Sequence, residues 1–181
     1  MIKKYTTGSF LTNSYVISNN EGECVVVDPG LGFENAAKEI LNNFKVKAIL
    51  ITHGHMDHID GIRFFDVPIY IHKDEVEFLY DSSLSLYKMF NKQTPYTEGM
   101  LDLRVVDDLD EFSLIGYNFK VLHTPGVVVS YLRVLQHREI QFPQFDGSHK
   151  NVGNQKYVLA AIFSYQYLFL QDDQRQPLAN H

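Results

Sequence analysis

One run constrains this chain more than any other: Ala48-Ile49-Leu50-Ile51-Thr52-His53-Gly54-His55-Met56-Asp57-His58. An apolar, β-rich stretch ends abruptly in four metal-capable side chains, His53, His55, Asp57 and His58. A short apolar run bounded by polar residues suits a strand in a sheet interior, here over 46–51. Imidazole and carboxylate donors together suit zinc, iron or manganese. On a loop leaving a strand, His53 and His55 can point one way while Asp57 and His58 reach round to a second point. The spacing supports two adjacent metals, or one metal with spare ligands. The chain has eight histidines in 181 residues. Three of them in six positions beside an aspartate fit a solvent-facing loop of chance composition poorly. Water bound to such a metal has its pKa lowered toward about 7, so hydroxide becomes available at neutral pH. Gly54 lets the backbone pass close to the metal, and Gly61 closes the turn.

The surrounding text alternates strands and helices. Residues 15–18 and 24–27 are short β-branched runs joined by Asn19-Asn20-Glu21-Gly22, which predicts a hairpin. Asp28-Pro29-Gly30 ends the second run. Ala37, Ile40, Leu41 and Phe44 recur at helical spacing and predict an amphipathic helix over 34–44. A short helix over 59–65, a strand over 68–71 and a helix over 73–80 follow. Residues 81–100 are mixed in Ser, Tyr, Lys and Thr and contain Pro95 and Gly99, which predicts a mobile flap beside the site. Residues 103–106, 111–114 and 119–122 read as antiparallel strands. Interleaved strands and helices indicate α/β or α+β layering. A length of 181 residues suits one domain over 1–181, and 45% hydrophobic residues supply its core.

Several function classes recede on composition. The net charge is −6 with no basic stripe, which argues against a nucleic-acid surface, where Lys and Arg on phosphates carry the affinity. The single cysteine, Cys24, lies in Glu23-Cys24-Val25-Val26-Val27 and reads as a buried inert thiol rather than a nucleophile. Neither a signal-peptide pattern nor an apolar run of about 18 residues is present, so a cytoplasmic enzyme with no membrane partner is expected.

His53-x-His55-x-Asp57-His58 resembles the signature of the metallo-β-lactamase-fold superfamily, and its surroundings look most like the glyoxalase II-like hydrolases. Asn13-Ser14-Tyr15, Val26-Val27-Asp28-Pro29-Gly30, Ala48-Ile49-Leu50-Ile51-Thr52 and His123-Thr124-Pro125-Gly126 all match that pattern. The resemblance covers residues 1–126. It implies an αβ/βα sandwich of two mixed β-sheets with helices outside and metals at one sheet edge. It implies two divalent metal ions, zinc in the first instance with iron or manganese as alternatives. His53 and His55 would bind one metal and Asp57 and His58 the other, with Asp57 also taking a proton during turnover. Asp28 would orient the loop through hydrogen bonds to the ligands, while a turn-capping role before Pro29 is compatible with that. A metal-held hydroxide would attack a small-molecule thioester, glutathione-derived in the favoured case.

The pattern breaks after Gly126. Relatives continue His-Thr-Pro-Gly-His, and the last histidine is the ligand; here Val127 stands in its place. His123 matches the first histidine of that run, which is not the ligand. Asp146, in Phe145-Asp146-Gly147, lies where a bridging aspartate is expected, although an Asp-Gly turn explains it as well. His181 is the candidate for the last ligand, against a frayed terminal residue. His72, His137 and His149 sit in no motif. Composition shifts at the same place: eight of nine glutamines follow residue 128, against one of nine glutamates. Residues 127–181 therefore read as an atypical or degenerate C-terminal part. A displaced reading frame after Gly126 would explain both features, and translation of the other frames beyond that codon tests it.

Three functions compete at this point. The first is thioester hydrolysis of glyoxalase II type, impaired by missing ligands. The second is a mononuclear iron persulfide dioxygenase, which shares the loop motif. The third is a non-catalytic scaffold of the same fold. The oligomeric state is left open by the sequence.

Overall fold

The structure is a computed structural model that describes residues 1–123, together with the strands Val134–Gln136 and Val158–Ala160. Six strands form one sheet in sequential order: β1 (Ile2–Thr7), β2 (Thr12–Ser18), β3 (Glu23–Val27), β4 (Lys45–Ile51), β5 (Ile69–His72) and β6 (Leu103–Val106). β1, β2 and β3 pair antiparallel, whereas β3, β4, β5 and β6 run parallel, so the sheet is mixed. The β2–β3 hairpin expected from Asn19–Gly22 is present. Its turn is held by the Asn19 side-chain oxygen, which accepts from the amides of Glu21 and Glu23 at 3.0 and 2.9 Å. Parallel pairing demands a crossover, and α1 (Glu34–Asn43) supplies the one between β3 and β4.

β4 is central and is apolar on both faces. Ile49 and Ile51 join Cys24, Val26, Val16 and the α1 residues Ala36, Ala37 and Ile40 on one side. Ala48 and Leu50 join Val25, Val27 and Ile17 on the other, against Tyr117, Phe119 and Val121. Strands buried on both faces read as continuous apolar runs for this reason. The second face is covered by the antiparallel hairpin β7 (Glu111–Leu114) and β8 (Tyr117–Lys120). Phe112 links the layers, stacking on Tyr70 of β5 at 4.3 Å and on Phe119 at 5.5 Å between ring centroids. A further antiparallel pair joins β9 (Val134–Gln136) to β10 (Val158–Ala160). The mixed α/β architecture with helices outside and strands layered within is the expected one.

Several local expectations are corrected. β1 has no apolar run to mark it, because Ile2–Thr7 is an edge strand whose residues are mostly exposed. β6 is parallel to β5 and belongs to the large sheet, not to an antiparallel set with β7 and β8. Leu41 sits at helical spacing yet is 51% exposed, so the buried stripe of α1 is narrower than its pattern. Cys24 is buried as expected, and burial pushes its thiol up to about 11. Among the described residues, no helix is long and apolar enough to cross a membrane.

Candidate metal centre

β4 ends at Ile51, and the chain leaves the sheet edge through Thr52-His53-Gly54-His55 into a single helical turn, α2 (Met56–Ile59). The turn brings the four expected donors together. The ring of His53 lies 4.9 Å from that of His55 and 4.0 Å from that of His58, between centroids. His58 Nε2 is 3.3 Å from Asp57 Oδ2. His53 and His58 are buried, while His55 and Asp57 are half-buried, so the cluster opens on its outer side.

Asp28 fixes the arrangement from beneath. Its carboxylate is wholly buried. It accepts from the Thr52 amide at 2.8 Å and the Thr52 hydroxyl at 2.5 Å, and lies 2.9 Å from His58 Nδ1. Its main chain is held as well: its amide donates to the Leu50 carbonyl at 3.0 Å, and its carbonyl accepts from the Ser14 hydroxyl at 2.5 Å. Asp28 adopts a left-handed φ of 48°, a conformation that Asp tolerates better than bulkier residues. The bend turns its side chain under the loop. The next turn residue but one, Gly30, admits no side chain, because a Cβ there would lie 1.8 Å from the Asp57 carbonyl oxygen. Val-Asp-Pro-Gly thus serves as the seat of α2. Gly54 is constrained in the same way, although by protein rather than metal: a Cβ would lie 2.2 Å from Cβ of Phe78.

Three partners of the loop were not legible in the sequence. Thr12, at the start of β2, donates its hydroxyl to Asp57 Oδ2 at 2.7 Å. Glu75 is wholly buried and accepts from the Gly54 amide at 2.9 Å, between the two histidines. The Ser85 carbonyl accepts from the Met56 amide at 2.8 Å. Ser85 belongs to the segment expected to be a flap. That segment is instead tied down, with Thr94 donating to the Leu79 carbonyl at 2.6 Å and Tyr96 to the Ile59 carbonyl at 2.8 Å. Tyr87 and Tyr96 are buried.

The electrostatics divide the cluster. Burial, reinforced by the neighbouring His58 and His55, pushes His53 well below the ordinary imidazole range. Burial also lowers His55, opposed by Asp57. Both rings are therefore neutral, with a lone pair to offer. Burial alone would lower His58 too, yet the Asp28 carboxylate, its hydrogen bond and Asp57 raise it to about 9. Burial would raise Asp57, but hydrogen bonds from His58 and Thr12 and the nearby imidazoles hold it below the usual carboxylate range. Two neutral imidazoles, one ionised carboxylate and one oriented imidazole with its far nitrogen beside that carboxylate are a donor set that fits divalent first-row metals. Val127, Asp146, His181, His137 and His149 lie outside the described residues. His123 is within them, at the end of β8's extension, and stacks on His72 at 4.4 Å.

The metallo-beta-lactamase superfamily model matches residues 7–138. A hydroxyacylglutathione hydrolase from Citrobacter koseri is 30% identical over 129 residues, which cover 68% of this chain and 42% of the relative. The hydroxyacylglutathione hydrolase GloC of Haemophilus influenzae is 27% identical over 137 residues, covering 72% and 64%. The chain thus spans less than two thirds of the length of either relative. Among solved structures, the BLEG-1 B3 metallo-beta-lactamase superposes with a TM-score of 0.65 at 28% identity, over 74% of this chain and 66% of that one. TTHA1623, solved in a di-iron-bound form, superposes with a TM-score of 0.56 at 26% identity, over 75% and 66%. The family match, the mixed sheet and the histidine loop at its edge converge: this chain belongs to the metallo-beta-lactamase superfamily.

Proposed function

We propose that the chain is a metal-dependent hydrolase of small thioesters, of glyoxalase II type, working in the cytoplasm on a glutathione-derived substrate. The observation that supports this reading is the relay from Asp28 through His58 to Asp57, which holds the His58 ring beside the Asp57 carboxylate. His53 and His55 are assigned to one divalent ion, and Asp57 and His58 to a second, zinc in the first instance. Asp146 and His181 are proposed as further ligands. When bound, such ions polarise a carbonyl and lower the pKa of water. The remaining tasks fall to the protein. Asp28 keeps the His58 ring oriented, Thr12 steadies one oxygen of Asp57, and Asp57, ionised at neutral pH, is available to take a proton and return it. The buried floor beneath the loop lowers the local dielectric and strengthens each of these interactions.

Valine at position 127 removes an expected imidazole. Even partners that only orient a ligand cost about 10–100-fold in metal affinity when lost, so the proposal includes low turnover. The same valine favours a second reading, a scaffold that holds metal weakly and does no chemistry. Hydrolysis of a hydroxyacylglutathione thioester by the zinc-supplied chain separates the two. The first reading expects slow hydrolysis that disappears in Asp57→Asn. Hydrolysis equal in Asp57→Asn and in the unaltered chain overturns the assignment of Asp57, and none in either favours the scaffold.

A further inference from the structure

A second group of metal-capable side chains lies one strand away from the histidine loop. His72 ends β5 and pairs in register with Val106 of β6. It alternates with Ile71 and so falls on the Tyr70 face, toward the β7–β8 layer. His123 enters the same gap two residues after Val121, whose side chain belongs to that interlayer core. Asp74 rises from the tight turn Lys73–Glu75. One donor atom from each of His72, Asp74 and His123 lies within 4.8 Å of the others. The turn that carries Asp74 to this group carries Glu75 to Gly54, so adjacent carboxylates serve two different places.

The group is unlike an ordinary surface ion pair. His72 is 1% exposed, yet its Nε2 has no hydrogen-bond partner among the described residues. The nearest carboxylate oxygen, on Asp107, is 3.6 Å away, and that side chain is already engaged by Lys73 at 2.6 Å. On its other side, Nδ1 has only a long contact of 3.3 Å from the Asp74 amide, with Asp74 Oδ2 at 3.6 Å. A buried polar nitrogen without a partner is costly, and His72 has carboxylates near both nitrogens but close to neither. The two imidazoles stack at 4.4 Å, and two imidazolium rings in that contact would repel. Burial, and then the proximity of His123, lower His72 from its ordinary value, which leaves a neutral ring with a lone pair. A cation shared by both rings and Asp74 accounts for the close approach of the three donors.

We propose that His72, Asp74 and His123 form a second divalent-metal site, separate from the His53–His58 loop, with Asp107 at its rim. Two imidazoles and one carboxylate suit zinc and its first-row neighbours. Asp74 and His123 are partly open to solvent, which gives the ion a way in. Because Asp74 and Glu75 share one turn, an ion here would also stiffen the support of Gly54. The site does not depend on the hydrolase reading.

Zinc binding to the full chain, measured by equilibrium dialysis with metal analysis, tests this. One equivalent of zinc should weaken by at least about tenfold in Asp74→Ala and in His123→Gln, and should persist in His55→Ala. Zinc binding in Asp74→Ala and His123→Gln equal in number and affinity to that of the unaltered chain overturns the site. So does loss of this equivalent in His55→Ala, which would place the ion in the loop. Should His123→Gln disturb folding by circular dichroism, Asp74→Ala decides alone, since Asp74 is exposed and its removal leaves both rings in place.

Discussion

Asp28 Oδ2 and His58 Nδ1 lie 2.9 Å apart, joining the end of β3 to the helical turn that carries Asp57. The same carboxylate takes two bonds from Thr52, so one buried group sets both the entry to the loop and the angle of its last imidazole. Asn at position 28 keeps the shape but loses the charge and one acceptor. Asp28→Asn should cost about 1.5–3 kcal/mol, the range for a hydrogen bond to a charged group. It should also weaken zinc binding by about 10–100-fold. Denaturant unfolding and zinc competition with a chromophoric chelator measure the two effects.

The metal-free chain should lose stability as solutions turn alkaline. His58 has its pKa raised in the folded state, from an ordinary 6.5 to about 9. A raised imidazole stabilises the fold fully below its unfolded value, and that contribution drains away as pH rises through the folded one. Thermal midpoints in chelator should therefore fall between 6.5 and about 9. His58→Gln should flatten that slope, and an unchanged slope in the variant would assign it elsewhere.

Glu75 supports the loop from the neighbouring strand end. Removing it in Glu75→Ala leaves the Gly54 amide buried without its acceptor, at a cost of about 1–3 kcal/mol. Glu75→Gln retains an acceptor and should lose clearly less. Paired urea melts of the two variants check the order. Equal losses would mean that the Gly54 bond contributes nothing.

The histidine loop, the β3 turn and the strands from β2 to β5 were legible in the sequence because each is local. Apolar runs mark buried strands, and the ligand spacing marks the edge where they end. Thr12 and Glu75 were not legible, since their roles arise only where β2 and the 73–75 turn meet the loop across 45 and 21 residues. Glu75 in particular is a charged residue within the expected 73–80 helix, yet it is wholly buried. The parallel partner of β6 is hidden for a similar reason, because parallel pairing leaves no turn signal between the strands. The 81–100 segment is polar in composition, yet Thr94, Tyr96 and Tyr87 bond inward to Leu79, Ile59 and Asp60.

Gly30 makes a sharper steric test of the seat beneath α2. A Cβ would meet the Asp57 carbonyl oxygen at 1.8 Å, a backbone atom that cannot swing aside. Gly30→Ala should destabilise by about 3 kcal/mol or more, at the upper end for overpacking. Gly22→Ala is a useful comparison, because nothing lies within 4 Å of its Cβ and only its positive φ opposes the change. Thermal unfolding of the pair should place Gly30→Ala well below Gly22→Ala, and parity would contradict the close approach.

The assignment of His53, His55 and His58 as metal ligands is tested most directly by imidazole nitrogen NMR during a zinc titration of the full chain. One nitrogen in each of these three rings should shift strongly. His58 should keep its Nδ1 proton on Asp28 while its Nε2 proton is released. Imidazole resonances of His53, His55 and His58 that stay in place at saturating zinc would contradict the assignment.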